Sequence, residues 1–240
     1  AGFFSISIII ALGLVGNLVQ SNSISGAIVQ VTPLPPIAIG IILAVLAALV
    51  FIGGMKRIAN FAELVVPFMA LLYVVGAIII LAQYSSQVLP TLRSIVTSAF
   101  SAQAIAGGGA GVAVQQAIRY GVARGLFSNE AGMGSTPHAH ATANVKHPVQ
   151  QGMVAMIGVV IDTGVVCTAT ALIILVTGAH TAGLQAAAVT QEAFGRAFGS
   201  AGAVFLAISL TFFAFTTIVG WYYFGESNIR YLFGNKGITP

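Results

Sequence analysis

The chain has 240 residues, 58% of them hydrophobic and only 6% charged, and its mean hydropathy is +0.99. A water-soluble domain carries about 25% charged residues to keep its surface wet, so this composition excludes a soluble globular protein and points to lipid as the solvent. The net charge of +4 then bears on membrane orientation rather than on nucleic-acid binding, and the single cysteine, Cys167, excludes an internal disulfide.

A helix crosses the bilayer with about 20 predominantly apolar residues. In chain order, spans are predicted near 3–22, 37–53, 62–84, 95–120, 152–178 and 202–224. None shows the period-two alternation of a membrane barrel. The first closes on "GNLVQSNS", where Gln20 and Asn22 stand at its end. Gln20 is either an interfacial cap or a neutral hydrogen-bonding group that reaches a substrate cavity.

The fourth segment is the weakest and holds "AIAGGGAGVAVQQA", with Gly107, Gly108 and Gly109 adjacent. Each glycine costs about 1 kcal/mol relative to alanine in a helix. The run marks either close helix packing through small residues or a break that lines a cavity. Its neighbours Gln103, Gln115 and Gln116 favour a break, expected within 106–111.

Residues 121–150 are expected to form a cytoplasmic loop. They hold most of "GLFSNEAGMGSTPHAHATANVKHPVQQG", the densest polar stretch of the chain. Its "FSNEAGMGS" has the features of an ordered gate. Ser128 or Asn129 caps a turn, Gly132 and Gly134 allow tight backbone, and Glu130 is placed to pair with Arg119 or Arg124. A part of the substrate site is the alternative. His138 and His140 are two residues apart, which points them to different helix faces and makes a poor metal pair, so no transition metal is expected.

The fifth span carries Asp162 in "GVVIDTGVV", about 15 Å past Gly152 at 1.5 Å per residue. A carboxylate at that depth needs a partner: it is a ligand for an ion, or it pairs with Arg119 or Arg124. Cys167, further along the same run, reads as a small buried hydrophobe. The sixth span reads "FAFTTIVGWYYFGE" and sets Thr217 and Trp221 at i, i+4 on one helix face, expected to face a cavity. The hydroxyls of Thr216 and Thr217 ligate Na⁺ or bond back to their own helix. Trp221, Tyr222 and Tyr223 line a pocket or form an interfacial aromatic belt.

Lysine and arginine are retained on the cytoplasmic side. If all six segments cross and the first enters from the cytoplasm, Lys56, Arg57, Arg119, Arg124, Lys146, Arg230 and Lys236 fall inside, with Arg93 and Arg196 outside. The bias vanishes unless the glycine segment crosses, which argues that it does. No phosphate-binding loop, GxSxG or CxxC is present, so the chain does not read as an enzyme.

At "RGLFSNEAGMGS" the chain resembles the alanine or glycine:cation symporter family, the sodium:alanine symporters. "GNLVQSNSIS", "GGMKRIANFAELVVPFMALLY", "IDTGVVCTATALI" and "LTFFAFTTIVGWYYFGE" resemble its middle spans in the same order. The resemblance implies an all-α, polytopic membrane protein of the leucine-transporter type, built from two inverted five-helix repeats. The six spans here would be the third to eighth of that core. One of them, the glycine segment, would be discontinuous, with its break facing the substrate. The family's first two spans, with a Gly-Thr-Gly-Asn break and a Gly-Gly-Pro-Gly followed by Phe-Trp-Met-Trp, are not in this sequence, nor are its last two. With a start at Ala1 and an end in "NKGITP", the chain is expected to be a piece of a longer protein.

The function implied is sodium-coupled symport of alanine or glycine across the plasma membrane, in a prokaryote the inner membrane, by alternating access. Na⁺ is the coupling ion, and neither a further cofactor nor nucleic acid is expected. A small zwitterion needs its carboxylate and ammonium satisfied away from lipid, which amides and carbonyls of a broken helix provide. Substrate binding is expected at Gln20, Gly107, Gly108, Gly109, Thr217 and Trp221, and sodium binding at Thr216, Thr217 and Asp162. The gate is expected at Asn129, Glu130, Arg119 and Arg124. The alternative is a pore or channel subunit with the glycines as a re-entrant filter.

Overall fold

The computed structural model describes residues 1–99 and 109–234, and the regular structure among them is helical. The helices are α1 (Gly2–Val29), α2 (Pro36–Phe51), α3 (Gly54–Gln83), α4 (Ser85–Ala99) and α5 (Gly109–Asn129). They continue with the single turn α6 (Pro137–His140), α7 (Pro148–Val176), α8 (Ala187–Phe198) and α9 (Ser200–Phe233). Four stretches are long and apolar enough to cross a bilayer: α1, Lys56–Gln83 within α3, α7 and α9, with α2 a shorter apolar helix. Two of them widen in the middle into π-helical turns, at Ile9–Gly16 in α1 and Val160–Cys167 in α7.

Both the first and last long helices outrun their apolar cores. In α1 the hydroxyls of Ser21 and Ser23 donate to the carbonyls of Leu18 and Val19. These hydroxyls share carbonyls of the preceding turn, and α1 runs on through "SNS" to Val29. In α9 the charged end is held by Arg230, which donates to Glu226 at 2.6 Å one turn away. The predicted 95–120 segment corresponds to the end of α4 and the first half of α5, and α5 continues through 121–129. The break expected within 106–111 lies largely outside the described residues, as do Gly107 and Gly108. Gly109 opens α5.

The chain divides into two compact units, Ala1–Val75 with Ala179–Pro240, and Gly76–Gly178. In the first, α2 buries Ile39, Leu43, Ala47 and Val50, a stripe one helical face wide. The stripe joins Ile24 of α1, Ile58 of α3 and Ala214, Phe215, Ile218 and Val219 of α9 in a single core. Aromatic rings lock the same helices. Tyr222 stacks on Phe51 with centroids 3.7 Å apart, and Phe215 meets Phe61 edge-on at 5.7 Å.

Helix α8 had no counterpart among the predicted spans. It is too short to cross and turns sharply into α9 at Gly199, whose φ of 63° is open to glycine at little cost. Gln191 of α8 is buried and donates from Nε2 to the carbonyl of Ala27, 3.2 Å away. That bond occupies one of the carbonyls that the end of α1 leaves unpaired.

In the second unit, α4 packs against the C-terminal turns of α7, and the C-terminal part of α5 packs against the π-helical turns of α7. Much of α7 is uncovered: Met153, Val154, Met156, Ile157 and Val160 are all exposed. An apolar face of that size needs lipid or further protein beside it.

Candidate functional site

The polar stretch that stands out in the sequence is ordered in the structure. At the end of α5, Asn129 accepts from the amide of Ala131 through Oδ1 at 2.9 Å, closing a side-chain turn. Glu130 adopts φ 54°, and Gly132 and Gly134 follow at 84° and 81°. The loop thereby folds back so that Ser135, which is fully buried, donates to the carboxylate of Glu130. Next, His138 Nδ1 lies 2.7 Å from the carbonyl of Ser135, and His140 Nδ1 lies 2.7 Å from Gln151 Nε2 at the start of α7.

Two further hydrogen bonds tie this loop to the middle of α7. Ser128 donates to Asp162 Oδ2 at 2.6 Å, and Asn129 Nδ2 donates to Thr163 Oγ1 at 2.8 Å. Thr163 in turn donates to Asp162 Oδ2 at 3.3 Å, and Cys167 Sγ lies 3.3 Å from Ser128 Oγ. Cys167, read from sequence as a buried hydrophobe, is thus half-buried beside a hydroxyl. Asp162 and Thr163 both sit in the π-helical turns, a departure from α geometry that is frequent at functional sites. Ser128, Asn129, Thr136, His140 and Asp162 line an open cavity of ≈ 590 Å³, whose remaining wall is apolar.

Of the partners weighed for Asp162, the arginines are not used. Arg119 and Arg124 are exposed on α5, and among the described residues no ion pair joins either to Asp162. The cluster therefore brings together Asp162 and Asn129, which sequence reasoning had assigned to separate roles. It adds Ser128, weighed as a cap within a stretch read as a gate or part of the substrate site, and Thr163, which had been missed. Nothing in a one-dimensional pattern marks a bond between positions 34 apart.

The remaining candidates lie in the other unit, where α1 and α9 cross. Trp221 is 3% exposed and its indole covers Gly16. Gly13 and Gly225 bring the two backbones together one turn away, each Cα within 3.6 Å of where the other's Cβ would stand. The hydroxyl of Thr217 donates to the carbonyl of Phe213 at 2.9 Å. That of Thr216 donates back to Phe212 and Phe213 and also stands 3.6 Å from Met69 Sδ. Gln20 is half-buried on α1.

Apolar helices of bilayer length, with a cluster of polar side chains against one of them, define a polytopic membrane protein. The description "Sodium:alanine symporter family" belongs to a family model that matches residues 1–240, and the chain belongs to that family. It is a family of transporters and not of enzymes, and the several long apolar helices accord with a multi-pass membrane protein. An uncharacterized transporter of Haemophilus influenzae is 45% identical over 95% of this chain and 48% of its own length. The sodium/alanine symporter AgcS of Methanococcus maripaludis is 40% identical over 93% of this chain and 49% of its own. The probable sodium/glutamine symporter GlnT of Bacillus subtilis is 42% identical over 97% and 48%. The chain spans about half the length of the curated relatives it matches.

Proposed function

We propose that the whole protein is a sodium-coupled symporter of small neutral amino acids, alanine or glycine, that works by alternating access. The observation that carries the reading is the family match along the full chain. The ordered polar cluster against the middle of an apolar helix gives it a physical footing, because intramembrane ionisable groups mark ion and substrate paths. Sodium appears in the names of the archaeal relative and of one Bacillus relative, beside different amino acids, alanine and glutamine. The small substrate is therefore our choice within a family of broader range. A carrier suits this family better than the pore with a glycine filter.

In this reading the fold is of the leucine-transporter type, and the chain contributes six spans, the third to eighth, with the sixth interrupted at Gly107, Gly108 and Gly109. Those glycines, with Gln20, Thr217 and Trp221, surround the amino acid, while Thr216, Thr217 and Asp162 serve sodium. Asn129 and Glu130, with Arg119 and Arg124 on the preceding helix, form the cytoplasmic gate. Sodium held more tightly in one conformation than the other couples the two movements. The test is uptake of labelled alanine and glycine into proteoliposomes by the full-length protein, with and without a Na⁺ gradient. Uptake that needs the gradient supports the reading; uptake indifferent to it, or none of either amino acid, refutes it.

A further inference from the structure

Helix α7 begins on an uncommon cap. Its N-cap residue is His147, in extended conformation with φ −143° and ψ 136°, and its ring nitrogen Nδ1 accepts from the amide of Val149 at 3.3 Å. Serine, threonine, asparagine and aspartate are the usual caps, and their acceptors persist across the neutral range. An imidazole nitrogen accepts only while it carries no proton, and histidine exchanges that proton between about pH 5 and 8. A second ring meets the same turn. His140 ends α6 and stands with Nδ1 2.7 Å from Nε2 of Gln151, which fastens α6 to the first turn of α7. With the amide nitrogen of Gln151 as donor, this ring too accepts through Nδ1. An open cavity of ≈ 490 Å³, lined in part by His140, Pro148 and Gln151, gives water access to the fastening.

We propose that the start of α7 is a proton-sensitive clasp, closed by neutral His147 and His140 and opened as the pH falls through the histidine range. The sign follows from the bonds. The Val149 amide can only donate, so a proton on Nδ1 of His147 removes the cap outright. It also sets a positive charge at the positive end of the helix dipole, beside Lys146 in the chain. At His140, the Gln151 amide must turn over and present Oε1 if a bond is to survive. The other titratable and charged groups of the neighbouring elements are His138 on α6, Glu130 ahead of it, and Asp162 farther along α7. Among the described residues no ion pair brings a carboxylate to His140 or His147, so no counter-charge offsets the lost bonds. Opening releases α6 from α7. Because α6 follows directly on Ser135, which donates to Glu130, release loosens the polar stretch between Glu130 and His147. The clasp is independent of what the protein carries.

Hydrogen–deuterium exchange of the full-length protein tests it, read on peptides over 137–153 and corrected for the chemical exchange rate. The two conditions lie towards the ends of the histidine range, about pH 7.5 and about pH 5.5. The lower pH is expected to cut protection of this stretch about fivefold, the equivalent of the about 1 kcal/mol of one helix cap, and to leave 203–224 of α9 unchanged. Asparagine sets an oxygen near the position of Nδ1 and holds no titratable proton. His147→Asn is therefore expected to keep the protection of the first turn of α7 at both pH values, and the double variant with His140→Asn to keep that of α6 as well. Should His147→Asn fail to fold, His147→Asp, which caps through a carboxylate, takes its place. Equal protection of the wild type at both pH values overturns the clasp. So does a loss in His147→Asn as large as in the wild type, which puts the sensitive group elsewhere. A wild-type loss shared equally by α9 also overturns it, as general unfolding in acid.

Discussion

Trp221 lies across Gly16 so closely that a Cβ added to the glycine would stand 2.5 Å from Cζ3 of the indole. The ring fills the notch that the absent side chain leaves, where α9 crosses α1. Gly16→Ala therefore forces the indole or the helix aside. Overpacking of this kind costs about 1–3 kcal/mol, read as a lower melting temperature of the detergent-purified full-length protein. Trp221→Phe in the same chain should restore part of the loss, because the smaller ring vacates the contested space. A Gly16→Ala protein as stable as the parent would show that the two helices are not held at this distance.

A second glycine pair separates space from backbone freedom. A Cβ on Gly202 would meet the carbonyl oxygen of Phe194 at 2.0 Å, whereas a Cβ on Gly195 would meet nothing within 4 Å. Both sit in helices. Gly202→Ala should destabilise towards the upper end of the about 1–3 kcal/mol of overpacking, since a carbonyl oxygen yields less readily than a side-chain tip. Gly195→Ala should stabilise, by up to about 1 kcal/mol of helix propensity. Melting curves of the two variants should move in opposite directions.

Gln191→Leu removes the donor that reaches the carbonyl of Ala27 while keeping most of the volume. A buried carbonyl left without its partner costs about 1–3 kcal/mol. The loss should appear as thermal destabilisation, with amide exchange faster near 27–32 and unchanged in α7. Uniform exchange across the protein would contradict a local cap.

The loop after α5 offers a test of gating. Glu130→Gln replaces the carboxylate that Ser135 donates to and should bias the full-length protein towards its inward-open form. Ser135 itself is fully buried and bonded to Glu130, so the reporter belongs at the exposed Ala131, with Cys167 replaced by alanine. Ala131→Cys should react faster with a cytoplasmic thiol reagent when Glu130→Gln is present, with equilibrium alanine binding retained. Unchanged labelling together with lost binding would move Glu130 from the gate to the substrate site.

The long apolar helices were legible because continuous apolar runs need no tertiary information: the helix at 203–224 or 154–176 follows from composition alone. Their ends were not. "SNS" after Gln20 reads as an exit from the membrane, yet α1 continues to Val29, with Ser21 and Ser23 donating to the carbonyls of Leu18 and Val19 in the turn before. Helix α8 escaped notice because twelve residues with a mixed surface resemble a connecting loop. In the candidate site, the depth of Asp162 and its need for a partner were readable, as was the ordered character of "FSNEAGMGS". The partner's identity was not. Arginine seemed the natural choice by charge, yet the structure meets the carboxylate with Ser128 and Thr163, a pairing set by how α5 ends against α7. Trp221 was readable as a large ring on one helix face, but the glycine beneath it lies some two hundred positions earlier in the chain.

The π-helical turns at Ile9–Gly16 and Val160–Cys167 are dislocations in the helical lattice. Each winds more residues into a turn than the α-helix on either side, so the side chains that follow are set at a different angle about the axis from those of an unbroken α-helix. In α7 the offset turns carry Asp162 and Thr163; in α1 they carry Gly13 and Gly16, the footings of Gly225 and Trp221. The far half of each rod is thus held out of phase with its near half, and the face it turns to its neighbours is one that a continuous α-helix of the same sequence would hide.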